Sequence, residues 1–192
     1  ARPAVRSVGV RSHHAVLNEA KSMITPAYAR TMARYNRWQN ESLYREALKL
    51  SDEERQRDRG AFFGSIHGTL NHLFWGDSLW LSRFGGGEKP RTASVKDSVG
   101  EFEDFADLAV ARPALDARII AWAEALTAET IAGDITWWSG INKANVSRPA
   151  ALIFTHFFNH QTHHRGQAHA LLTIAGTKPD DTDLIYMPGV AG

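Results

Sequence analysis

The sequence predicts an all-α protein built as a helical bundle. Four segments of about 20 residues carry apolar side chains at helical intervals, and strand-like alternation is almost absent. The strongest breaker, Gly85-Gly86-Gly87, is followed by a long stretch without helical period, long enough to carry the chain from one end of a bundle to the other.

The first helix is expected over roughly Pro26–Leu50. Thr25 is placed to cap it, Pro26 suits the first turn, and Tyr35, Trp38, Leu43 and Ala47 recur along it. The polar segment SDEERQRDRG then reads as a turn ending at Gly60. The second helix is expected over Ser65–Phe84, with Ile66, Leu70, Leu73, Phe74 and Leu81 as its apolar stripe, and the connection after it runs to about Val99. A third helix spans Val99–Leu126, with a kink or break near Ala111–Arg112 because Pro113 lies inside it. Ile135–Ser139 and Ala144–Ser147 read as a small hairpin. The fourth helix is expected over Arg148–Ala175, capped by Ser147 and ended by Gly176, with a turn-rich tail over the surface. The first 22 residues, basic at their start and without a continuous apolar run, read as a loosely ordered extension, and residues 23–192 as the bundle.

Composition narrows the function classes. With 22 basic and 21 acidic residues there is no charge excess to hold a nucleic acid. No apolar run is long enough to span a bilayer, so no membrane is expected as partner. The absence of cysteine excludes disulfides, thiolate zinc sites, iron–sulfur clusters and a thiol nucleophile, and fits a cytoplasmic protein.

The segment HFFNHQTHHRGQAH on the fourth helix holds five of the nine histidines. His160 and His164 stand four residues apart, which puts both imidazoles on one face about 6 Å apart along the axis. Imidazole is a favoured ligand for zinc, nickel and similar ions, but an open catalytic site needs a third ligand. His72, flanked by Leu70, Leu73 and Phe74 on the second helix, is the best candidate; His67 is the alternative, rotated about 140° from it. Ordinary hydrogen bonding and packing remain open for each histidine taken singly. Asn36 and Asn40 share a face of the first helix, either lining a pocket or forming a polar seam. Asp77, if buried, would pair with Arg165 or orient a ligand histidine; Arg165 would otherwise clamp a substrate carboxylate; Gln161 is a donor beside the ligands. Trp75, Trp80, Trp137 and Trp138 would wall an apolar pocket or fill the core, and Gly166 would allow close helix approach.

These residues also carry a resemblance. YNRWQNESLY, GSIHGTLNHLFWGDSLWLSRF, FFNHQTHHRGQAHALLTIAG and the final PDDTDL resemble the DinB branch of the DinB/YfiT-like superfamily over roughly Tyr28–Leu184. The resemblance implies a four-helix bundle with a long crossover between the second and third helices. It implies a divalent metal on His72, His160 and His164, for which imidazole ligands favour zinc or nickel, and a homodimer. It further implies a small-molecule substrate and a transferase that activates a low-molecular-weight thiol. A metal-dependent hydrolase and a non-enzymatic metal-binding stress-response module are the alternatives.

Overall fold

The computed structural model describes residues 23–140 and 142–189; the extension expected over residues 1–22 lies outside them. The helices are α1 (Pro26–Leu48), the short α2 (Asp52–Gln56), α3 (Ile66–Arg83), α4 (Phe105–Ala125), the short α5 (Ala128–Ala132) and α6 (Ala150–Ile174). Strands β1 (Asp134–Ser139) and β2 (Ala144–Pro149) pair antiparallel, with Thr136 opposite Ser147. No helix of the described residues is long and apolar enough to cross a membrane.

Four long helices, α1, α3, α4 and α6, form the bundle. Side-chain pairs set their directions. Arg34 meets Glu124 near one end of α1 while Tyr44 stacks on Phe105 near the other, so α1 and α4 are antiparallel. His67 meets Phe105 and Phe84 meets Trp122, so α3 and α4 run parallel. Trp80 meets His156 while His72 meets His164, so α3 and α6 are antiparallel. Each of α1 and α3 packs on both α4 and α6. Parallel α3 and α4 require the intervening chain to return the length of the bundle, which is the expected crossover. Asn71 holds its far end: its amide donates to the carbonyls of Val99 and Phe102 and accepts from the Phe102 N–H.

That side-chain clamp also explains a difference from expectation. The segment before Phe105 is a 3₁₀ turn over Asp97–Gly100 followed by a bent, non-helical stretch, and α4 begins six residues later than Val99. Asn71 takes the backbone groups that a helix would have bonded internally. The break expected near Ala111–Arg112 is absent and α4 is continuous through Pro113. Pro113 is exposed, so the backbone bond it removes lies on the solvent side, while Leu108, Arg112, Leu115 and Ile119 keep the buried face intact. The turn expected after α1 contains α2, because the Ser51 hydroxyl accepts from the Glu54 N–H and Asp52, Glu53 and Glu54 suit a helix start. Ser147, expected as the cap of α6, is instead paired within β2. Gly85 and Gly176 end α3 and α6 in left-handed conformations, φ +82 and +87. In both cases the following residue donates back into the helix, Gly86 to Leu81 and Thr177 to Leu172. The tail then runs back along α1, pinned by Lys178 to Glu46, Asp180 to Ser42 and Thr182 to Tyr35.

A buried polar knot sits within the apolar core. Arg112 of α4 is buried and pairs with Asp77 of α3 at 2.8 Å and with Asp116 one turn along its own helix. Asn36 and Asn40 of α1 donate to Asp116 at 2.9 and 3.0 Å. Gln161 of α6 donates to Asp77 at 2.9 Å, and Arg165 of α6 donates to Asn36. Burial disfavours the Arg112 charge, but Asp116 and Asp77 outweigh it and raise its pKa. Removing the guanidinium would leave two carboxyl groups buried without their cation. Arg112→Ala is therefore expected to destabilise the fold by about 3–5 kcal/mol in urea unfolding, and a loss below about 1 kcal/mol would contradict this account.

Candidate metal centre

The antiparallel packing of α3 on α6 brings His72 against the His160–His164 pair. Nitrogen atoms of the three imidazoles lie within 4.8 Å of one another, and His72 Nε2 is 3.2 Å from His160 Nε2. Two nitrogens bound to one tetrahedral ion, at metal–nitrogen distances near 2.0–2.1 Å, stand about 3.3–3.4 Å apart. The spacing of His72 and His160 fits such an ion. Among the described residues no fourth side chain of ligating type joins the group.

Neighbouring groups decide which ring nitrogens face inward. The Ser98 hydroxyl donates its single proton to the Val95 carbonyl, so it accepts from His72 Nδ1 at 2.8 Å. His164 Nδ1 donates to the Gln167 side-chain oxygen at 2.8 Å. Both rings therefore keep an Nε2 lone pair for the centre of the cluster. His160 Nδ1 is buried without a hydrogen-bond partner. Phe63 stacks on His72, ring centres 3.8 Å apart, and meets His164 edge-on. Gly76 of α3 supplies room for His160, since a Cβ there would lie 2.6 Å from the ring's Cε1.

The environment favours neutral, ligating imidazoles. Burial, with His164 adding repulsion, pushes the His72 pKa down from 6.5 to about 3. Burial and then the surrounding histidines, His164 first, push His160 to about 3. His164 is also lowered by burial, against the Gln167 hydrogen bond.

The other expected site residues fall elsewhere. Asn36, Asn40, Asp77, Gln161 and Arg165 all belong to the polar knot of the core. The asparagines form a seam, and Asp77 pairs with Arg112, not with Arg165 or a ligand histidine. Arg165 has no carboxylate within ion-pair distance among the described residues; it reaches Asn36 and Thr162, and burial pushes its pKa down to about 10. The reason is reach: Arg112 approaches from a neighbouring helix at the level of Asp77, and sequence spacing along α6 carries no information about α4. A pocket between α1 and α4 reaches Asn40, Tyr44 and Arg112 from outside, away from the histidines. Gly166 makes no close approach, as a Cβ there would meet nothing within 4 Å; Gly76 is the glycine that matters. Trp138 points to solvent, whereas Trp137 packs on Trp80 at 5.6 Å. His67 is buried against Phe105, away from the cluster. Ser98, Phe63 and Gly76 were not singled out by the sequence. Only Gly76 carried a signal, as a glycine in mid-helix one turn after His72.

Residues 23–189 match the family model described as the DinB family. The chain is 25% identical over 162 residues to "Protein DinB" of Bacillus subtilis (strain 168), covering 81% of this chain and 91% of that protein. A crystal structure of a DinB-like protein from Bacillus cereus ATCC 10987 aligns with a TM-score of 0.48 and 17% identity, covering 75% of this chain and 90% of that one.

The lowered histidine pKa values make the metal-free protein acid-sensitive. Below pH 6.5 the unfolded chain binds protons that the folded chain refuses. The stability from these groups is complete above pH 6.5 and is lost as pH falls towards about 3. At pH 5 the expected loss is roughly 2 kcal/mol for each of His72 and His160. Urea midpoints of the metal-free protein across this range measure it; a flat profile between pH 7 and 5, where acid unfolding of carboxylates contributes least, would refute it.

Proposed function

The chain belongs to the DinB family, and we propose that it is a divalent-metal protein that binds zinc or nickel through His72, His160 and His164. The observation that carries this reading is three imidazoles whose nitrogens converge within 4.8 Å, with no fourth protein ligand among the described residues. A structural zinc site is normally closed by four protein ligands, whereas a catalytic one keeps a position for water or substrate.

The proposed activity is thiol transfer with a small-molecule substrate. A divalent ion held by neutral ligands keeps its full double charge and lowers the pKa of a thiol or water bound beside it. In such a transfer the thiolate would attack an electrophilic carbon, forming a carbon–sulfur bond as the leaving group departs with its bonding pair and the thiol proton passes to solvent. The protein's share is to hold Nε2 of His72 and His164 inward through Ser98 and Gln167, and to shield one side with Phe63. Hydrolysis is the neighbouring chemistry, with water in place of the thiol, and a binding module is the non-enzymatic reading. A homodimer is part of the same proposal and is measured by light scattering.

Purified protein is expected to retain about one divalent ion per chain by elemental analysis. His160→Ala and His164→Ala should each abolish retention, and His72→Ala should weaken it severely. Full occupancy after both α6 substitutions would sink the metal assignment. Gly76→Ala should weaken metal binding at least tenfold by displacing the His160 ring, while circular dichroism still shows a folded helical protein. For the chemistry, metal-loaded protein is assayed with an activated aryl halide and a panel of biological thiols. Metal-dependent turnover with one thiol is expected; background rates with every thiol would leave hydrolysis or binding.

A further inference from the structure

The seam between α3 and α6 does not stop at the histidines. On α3, His72, Gly76, Trp80 and Arg83 follow one another at helical spacing and so share a face. On antiparallel α6, His164, His160 and His156 do the same in the opposite direction. Contacts join the two rows: the His160 ring sits over Gly76, His156 lies 5.9 Å from His160, and Trp80 lies 5.1 Å from His156. The row ends at Arg83, whose guanidinium carbon is 4.4 Å from the centre of the Trp80 ring and 5.3 Å from that of Trp137 on the hairpin. Both ring faces hold the cation in place.

Arg83 is half-buried, and among the described residues no carboxylate or carbonyl pairs with it. Burial lowers its pKa, consistent with a charge left without a counter-ion. By contrast Arg112 pairs with Asp77 and Asp116, and Arg55 with the Ala47 carbonyl and Asp52. His156 beside Arg83 is exposed and Trp80 is half-buried, so this end of the seam meets solvent. From Gly76, level with His160, to Arg83 is seven residues of helix, a rise of about 10 Å.

We propose that Arg83, cradled by Trp80 and Trp137, is the specificity-determining residue that receives a carboxylate of the substrate, about 10 Å along the seam from His160, the nearest of the three histidines. The substrate is thus an elongated molecule, with its metal-seeking group at one end and an anionic group at the other. The flat guanidinium offers paired donors to a carboxylate, and the indoles flank it without competing for them. This inference rests on the metal reading above.

The test uses full-length protein loaded with cobalt(II), in which thiolate coordination produces a charge-transfer absorption band. The probes are 8-mercaptooctanoate, whose extended chain matches the span, its neutral analogue 8-mercaptooctanol, and the short 3-mercaptopropionate. 8-Mercaptooctanoate is expected to bind at least tenfold more tightly than the alcohol and than the short acid. Arg83→Gln should remove that advantage while leaving the affinity for the alcohol unchanged, and Arg83→Lys should restore part of it. Equal affinities for 8-mercaptooctanoate and 8-mercaptooctanol, or an unchanged preference in Arg83→Gln, overturn the role of Arg83 while the band itself upholds the metal centre. No band with any thiol in cobalt-loaded protein overturns thiol coordination and this inference together. Failure to take up cobalt overturns the metal reading itself.

Discussion

Arg112 is the interaction on which the rest of the structure depends. Its guanidinium lies in the centre of the bundle, and its two carboxylate partners bring in the side chains of all four long helices. An apolar core of leucine and phenylalanine tolerates small slides of one helix past another, because such contacts have little directionality. A buried ion pair does not: if Asp77 moves away, two charges are stranded in a medium that solvates them poorly. The knot therefore selects one register among those that apolar packing alone would allow.

That register carries the histidine cluster. Asp77 bonds Gln161, and the residues immediately before them, Gly76 and His160, lie against each other. One turn further along α3 and one turn along α6, His72 and His164 complete the group. The same burial that desolvates these rings keeps them neutral, so packing supplies both the geometry and the protonation state a metal requires. Ser98 adds a constraint from outside the bundle: the crossover, held by Asn71, delivers the hydroxyl that sets the tautomer of His72. Core, crossover and site are thus parts of one arrangement. The seam continues past the histidines to Trp80 and Arg83 because α3 and α6 stay in contact beyond the cluster.

Much of this was legible in the chain. The four long helices, the glycine stops after α3 and α6, and the hairpin follow from apolar period, caps and turn residues, all of which act over a few neighbouring positions. His160 and His164 announce themselves by spacing, and His72 by its apolar flanks. Errors arose where a distant side chain overrode a local preference. Asn71 took the backbone of residues 99–102 out of a helix, and Thr136 drew Ser147 into a strand. Pro113 was harmless because it faces water.

By itself, the sequence determined the elements and the chemical types available: helices with buried stripes, histidines four apart, no cysteine, no charge excess. These depend on covalent composition and on interactions within a turn or two of helix. Only the tertiary structure decided which polar residues serve the fold and which serve the site. Asn36, Asn40, Asp77, Gln161 and Arg165 looked like pocket residues, and all five went to the Arg112 knot, while Ser98, Phe63 and Gly76 surround the histidines. The physical reason is that a buried polar group must find its partner in space, and the helix that supplies the partner is chosen by packing, not by distance along the chain.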